Sequence, residues 1–98
     1  MKMTKTQNGT SMDIVLEGRL DTESAPELAA ELKDGLGQIE KLTVDMSEVE
    51  YVSSSGLRVL IKARNSLKYG GEMIIANANE LVREVFDLTG ISNIFTMK

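Results

Sequence analysis

The chain contains no cysteine and no histidine. The first absence removes disulfide frameworks and thiolate chemistry. The second removes the commonest general base and the commonest metal ligand of proteins. No apolar run is long enough to span a bilayer, and the opening Met1-Lys2-Met3-Thr4-Lys5 has no apolar signal region, so the expectation is a cytoplasmic protein without membrane insertion. There is no Gly-rich loop ending in Lys-Ser/Thr to cradle a nucleotide phosphate, no cluster with metal-ligand spacing, and no internal repeat, linker or low-complexity segment. The sequence therefore implies neither a cofactor nor a metal.

What is present fits one domain. The 98 residues are 42% hydrophobic, enough for a single core. The net charge of −4 is unevenly spread: residues 13–50 hold eleven acids against three bases, whereas residues 51–98 hold four acids against six bases. So acidic a first half argues against direct nucleic-acid binding there.

Asn8-Gly9 marks a hairpin within residues 4–17. Ser24-Ala25-Pro26-Glu27 reads as a capping box with proline in the first helical turn, followed by Ala25, Leu28, Ala29, Leu32 and Leu36 on one face. Gly35 and Gly37 bracket the expected helix end. Lys41 to Met46 alternates as a strand, and Ser47 to Glu50 reads as a short connection. A helix is expected over about 55–69, apolar at Leu57, Leu60, Ile61 and Leu67 and basic at Arg58, Lys62, Arg64 and Lys68, with Gly70-Gly71 ending it. A buried strand at Glu72–Ala76 follows. Asn77 is expected to cap a last helix, with Glu80 as its partner and Ala78, Leu81, Val82, Val85 and Leu88 facing the core. Ile91 to Phe95 completes the chain as a strand. The predicted order is β-β-α-β-α-β-α-β, an α/β domain with a mixed sheet.

The stretch that carries chemistry is Tyr51-Val52-Ser53-Ser54-Ser55-Gly56-Leu57. A serine nucleophile needs a base, but the residue three places after Ser55 is Arg58, which stays protonated, so hydrolase chemistry is excluded. Asp45 at a central strand end resembles a phosphoacceptor aspartate, yet the supporting acids and the late lysine of that chemistry are missing. The serines remain, as a helix cap or as a modification site. A phosphoserine carries about −1.5 to −2 charges and meets free N–H groups and the positive dipole end at a helix start. Gly56 in the first turn would allow close backbone approach.

The motif resembles the Asp-Ser-Ser/Thr-Gly-Leu signature of STAS domains, specifically bacterial anti-sigma factor antagonists. Gly18-Arg19-Leu20-Asp21 with Ala25 and Leu28 is similar to the family's loop and first helix, and Leu42 to Ser47 to its central strand. The resemblance covers nearly the whole chain, residues 1–98. It implies a non-enzymatic transcription regulator that binds an anti-sigma factor serine kinase and so frees a sigma factor. In that cycle the kinase, using ATP and Mg²⁺, phosphorylates the antagonist, and a PP2C-type phosphatase resets it. By position, Ser54 would be the phosphoacceptor; Ser53, Ser55, Gly56, Arg58 and Asp21 would lie on the partner-binding surface. The family usually has aspartate where this chain has Ser53. That departure keeps a second reading open, a STAS docking subunit of a lipid or anion transport complex with no phosphorylation cycle.

Overall fold

The computed structural model describes residues 1–33 and 35–98. Among these described residues, five strands and three α-helices follow one another: β1 (Lys2–Asn8), β2 (Ser11–Leu20), α1 (Ala25–Glu31), β3 (Lys41–Val52), α2 (Ser54–Ser66), β4 (Glu72–Ala76), α3 (Glu80–Leu88) and β5 (Thr96–Met97), with one 3-10 turn at Leu36–Gln38. This is the predicted order. The spatial order of the sheet equals the chain order, β1-β2-β3-β4-β5. β1 runs antiparallel to β2, and β2 through β5 are mutually parallel. All three crossovers step in one direction, so the right-handed rule for such connections puts the three helices on the same face. Burial in the strands agrees: Met12, Ile14 and Leu16 in β2 and Leu42, Val44 and Met46 in β3 are buried, while Asp13, Val15, Thr43 and Asp45 between them are half-buried or exposed.

The hairpin turn forms where Asn8-Gly9 predicts it. Asn8 pairs with Ser11, leaving Gly9 and Thr10 as the two-residue loop. Gly9 has φ +65°, a value glycine adopts at no steric cost.

Several local expectations are corrected. The strand that begins at Lys41 does not stop at Met46 but runs to Val52, because Glu48 to Val52 pair with Glu17 to Leu20 of β2 after register shifts. What reads as a polar connection is a strand end reaching past the last residue of β4, with Glu48 and Glu50 turned to solvent. Ser24 makes no capping hydrogen bond to α1; its hydroxyl oxygen accepts from the Asp21 N–H at 2.9 Å instead, and its proton is donated to the Arg19 carbonyl at 2.6 Å. α1 stops at Glu31, and Leu36 reaches the core from the 3-10 turn, while Ala29 is exposed. α2 ends at Ser66, where Leu67 turns extended and Lys68 N–H donates to the Ile39 carbonyl, before Gly70 is reached.

The last helix differs most. Its cap is Asn79, whose side chain accepts from Val82 N–H at 2.9 Å and donates to the Val49 carbonyl at 3.1 Å. Asn77 instead takes the left-handed conformation that asparagine tolerates, φ +61°. The buried residues of α3 are Val82 and Phe86; Leu81 and Leu88 are 70% and 80% exposed. The chain then turns at Gly90 (φ +73°), so residues 91–95 are not a strand, and pairing with β4 is confined to Thr96 and Met97. Phe95 closes the turn by packing edge-on against Phe86, ring centroids 5.6 Å apart. Phe86 therefore ties both α3 and the C-terminal strand to the core. Phe86→Ala is expected to destabilise the fold by about 3–5 kcal/mol, the range for a large buried aromatic truncated to a cavity. Urea unfolding of the variant checks this, and a loss below about 1 kcal/mol contradicts it.

Candidate functional site

The serine stretch lies at the junction of β3 and α2. Ser53 is the N-cap of α2, in extended conformation, and its hydroxyl oxygen accepts from Gly56 N–H at 3.1 Å. Its carbonyl accepts from Leu57 N–H at 2.9 Å. The first helical residue is Ser54. It is exposed, and its hydroxyl makes no hydrogen bond with any described residue. Ser55 is half-buried and Gly56 is buried. The three hydroxyls are thus not equivalent: one is committed to the cap, one is free and open to solvent, and one is partly covered.

The second half of the site comes from the end of β2. Leu20 pairs with Val52, and Ser53 N–H donates to the Leu20 carbonyl at 2.8 Å. A Cβ added to Gly56 would sit 2.6 Å from Leu20 Cγ and 3.1 Å from its carbonyl oxygen. Glycine is therefore required here by the chain's own packing, since Leu20 already fills the space beside it. Leu20 is fully buried and cannot swing away.

Asp21 follows at once and organises the loop. Its Oδ1 accepts from the N–H groups of Glu23 and Ser24, each at 3.0 Å, and its own N–H donates to Ser24 Oγ at 2.9 Å. Arg19 lies 3.8 Å from the other carboxylate oxygen and stacks 4.6 Å over the ring of Tyr51, its register partner on β3. The hydrogen bond from Ser24 N–H, reinforced by that from Glu23 and opposed by desolvation, holds the Asp21 carboxyl below its ordinary value of 3.8. Asp45 is lowered likewise, chiefly by the Ser47 N–H and further by Asn77 Nδ2 at 3.3 Å. That aspartate pins the place where β3 parts from β4, which is a structural role.

The structure thus joins Asp21, Ser53 and Gly56 through Leu20, with Ser54 and Ser55 adjacent. Arg58 stands one turn along α2 and is exposed, on the helix face that Lys62 shares four residues on, with Arg64 about 120° around from it. Sequence reasoning missed Leu20, Ser24 and the Arg19–Tyr51 pair. Ser24 carried the signal of a helix cap, and only the three-dimensional loop reveals its buried role. Among the described residues no group of three or more acidic side chains is placed to hold a metal ion.

The family model for the STAS domain matches residues 1–98. The chain belongs to the STAS domain family. A relative named for anti-sigma factor antagonism, BtrV of Bordetella bronchiseptica, is 33% identical over 97% of this chain and 84% of its own length. The anti-sigma-B factor antagonist of Bacillus subtilis is 30% identical over 90% of this chain and 82% of its own. Among solved structures, an anti-sigma factor antagonist from Mycobacterium paratuberculosis shares the fold with a TM-score of 0.87 at 21% identity, over 98% of this chain and 83% of that one. The Bacillus protein SpoIIAA, solved in its phosphorylated form, matches with a TM-score of 0.77 at 18% identity over 99% of this chain and 91% of that one.

Two predictions follow from the geometry. Gly56→Ala is expected to cost about 1–3 kcal/mol, because Leu20 and its carbonyl must give way around the new methyl group; an unchanged denaturation midpoint contradicts the clamp. The lowered carboxyls give a pH dependence of definite sign. The unfolded chain protonates these aspartates first as pH falls, so their contribution to stability is complete above the unfolded value near 3.8 and is lost as pH drops through the lower folded values. The double variant Asp21→Asn, Asp45→Asn should therefore lose stability less steeply on acidification than the parent, as read by urea melts from about pH 5 to about pH 2. Equal slopes contradict the assignment.

Proposed function

We propose that this chain is an anti-sigma factor antagonist whose β3–α2 junction docks an anti-sigma factor serine kinase. The unphosphorylated chain engages the kinase and so frees a sigma factor. The kinase then transfers the γ-phosphoryl group of ATP to Ser54, and the pair separates; a PP2C-type phosphatase restores the hydroxyl. The chain acts by binding and catalyses nothing itself, and the cycle runs in the cytoplasm.

The observation that carries this reading is the free, solvent-facing hydroxyl of Ser54 in the first turn of α2, beside a loop held rigid by Asp21. Its neighbours in the motif are already occupied, Ser53 as the cap and Gly56 against Leu20. The names of relatives at 33% and 30% identity support the class of partner. That SpoIIAA has been solved phosphorylated with this fold supports a fold that tolerates the modification.

Physically, the added group brings about −1.5 to −2 charges and three acceptor oxygens to an exposed patch. It sits at the positive end of the α2 dipole, so the fold tolerates it, while a partner shaped to a neutral hydroxyl is repelled and sterically blocked. Asp21, Ser53, Ser55 and Arg58 frame that patch, and Gly56 lets the loop and helix approach closely enough to form one surface. Ser53 in place of aspartate keeps the cap, since a hydroxyl and a carboxylate both accept from the Gly56 N–H. It removes one negative charge from the partner's view.

The expected outcome with a cognate anti-sigma kinase and ATP is a single phosphoryl adduct by intact-mass spectrometry, absent in Ser54→Ala. Labelling of Ser54→Ala to the parent's extent moves the acceptor elsewhere. Ser54→Asp should weaken kinase binding by about tenfold or more, and unchanged affinity contradicts the electrostatic part of the mechanism.

A further inference from the structure

α3 carries two leucines that the core does not use. Leu81 and Leu88 are 70% and 80% exposed, although an amphipathic helix ordinarily buries such residues. They do not stand alone. With Val82 and Val85 they face Tyr51 and Val52 across an apolar groove, whose other lining residues are Glu50 and Glu84. The groove exists because β3 outruns β4: beyond Asp45 its edge has no strand neighbour, and α3 stands beside it, tied on by Asn79 to the Val49 carbonyl.

The groove has a definite length and charge. Residues seven apart on a helix lie on one face about 10.5 Å apart along the axis. Leu81 and Leu88 therefore offer two successive anchors of the kind that an apolar helix stripe meets in helix-in-groove recognition. Carboxylates flank it on both sides, Glu50 on the strand and Glu84 on the helix, with Glu80 one turn before Glu84. Arg83, the single base of α3, lies on the far side of the helix, about 150° around from the leucine pair at 100° per residue. Arg19 is near, but its guanidinium is engaged by the Tyr51 ring and by Asp21.

Charge also decides against a second copy of this chain. A two-fold contact would set the groove against itself and bring the Glu50 and Glu84 carboxylates of one copy against those of the other; like-charge opposition is strongly unfavourable at an interface. A helix with an apolar stripe between rows of Lys or Arg answers both features at once.

We propose that the groove between α3 and the free edge of β3 docks an amphipathic helix of a partner protein, leucine-type anchors inward and basic residues along its flanks. Ser54 does not line this groove, so the surface is distinct from the proposed switch and binds its helix without needing the free Ser54 hydroxyl.

The test uses the intact chain and a fluorescent stapled helix with leucines at a and d positions flanked by lysines. The helix should bind saturably and more weakly as salt rises, and a matching helix flanked by glutamates should not bind. Leu81→Ser with Leu88→Ser should weaken binding by about tenfold or more, without loss of thermal stability because both side chains are exposed. Glu50→Lys with Glu84→Lys should do the same and admit the glutamate-flanked helix. Ser54→Asp should not weaken this binding, in contrast to its effect on kinase binding, which separates this surface from the proposed switch. No saturable binding, equal binding of the two helices, or full affinity in the Leu81→Ser, Leu88→Ser chain overturns the proposal. So does a concentration-dependent dimer in sedimentation that those two substitutions abolish.

Discussion

One constraint organises the molecule: the end of β2 is clamped to the start of α2. The clamp has two parts. Ser53 N–H donates to the Leu20 carbonyl, and the bare Cα of Gly56 lets Leu20 lie where a side chain would otherwise stand. Together they continue the parallel β2–β3 pairing out of the sheet and into the helix. The Asp21 loop and the serine stretch, separated by about thirty residues of chain, become one rigid surface. Without the clamp the loop and the helix start would move independently, and a modification on one would say little about the other.

The clamp also sorts the three serines. Ser53 is consumed by the cap, Ser55 is partly covered, and Ser54 is left with its hydroxyl free. The same helix start that needs Ser53 as an acceptor leaves other N–H groups oriented toward solvent, so cap and switch are compatible. A negative charge there is tolerated by the fold and felt by whatever docks on it. The loop carries two acids, Asp21 and Glu23, but Asp21 Oδ1 is spent internally on the N–H groups of Glu23 and Ser24, and its other oxygen lies 3.8 Å from Arg19. In the proposed docking Asp21 would therefore contribute shape at least as much as charge.

Much of this was legible in the residues. The order of elements, the Asn8-Gly9 hairpin and the placement of Ser53 to Gly56 at a strand-to-helix junction follow from local signals: turn chemistry, alternation and a hydroxyl before an apolar run. What escaped depended on neighbours remote in sequence. Ser47 to Glu50 look like a loop because polar residues and charges interrupt the alternation, yet β2 continues beside them and holds them in the sheet. Ser24 has the spacing of a cap, but its hydroxyl oxygen accepts from the Asp21 N–H instead of a helix N–H, while its proton goes to the Arg19 carbonyl. Asn77 and Asn79 are equally good caps on composition; the Val49 carbonyl and the Asp45 carboxylate decide between them. Periodicity put Leu81 and Leu88 in the core, whereas Phe86, anchored by Phe95, rotates the buried face of α3 away from them. The STAS family model matching residues 1–98 agrees with the parts that local signals could reach.

The central claim is that the clamped surface acts as a local switch, with the phosphate changing one patch and leaving the fold as it stands. The most direct measurement is a comparison of backbone amide NMR spectra for the chain and for a form carrying phosphoserine at position 54. The account predicts shift changes confined to Leu20 through Ser24 and Ser53 through Arg58, with the remaining strands unmoved. Changes spreading across β1, β4 and α3 would contradict it and point instead to a rearrangement of the whole domain.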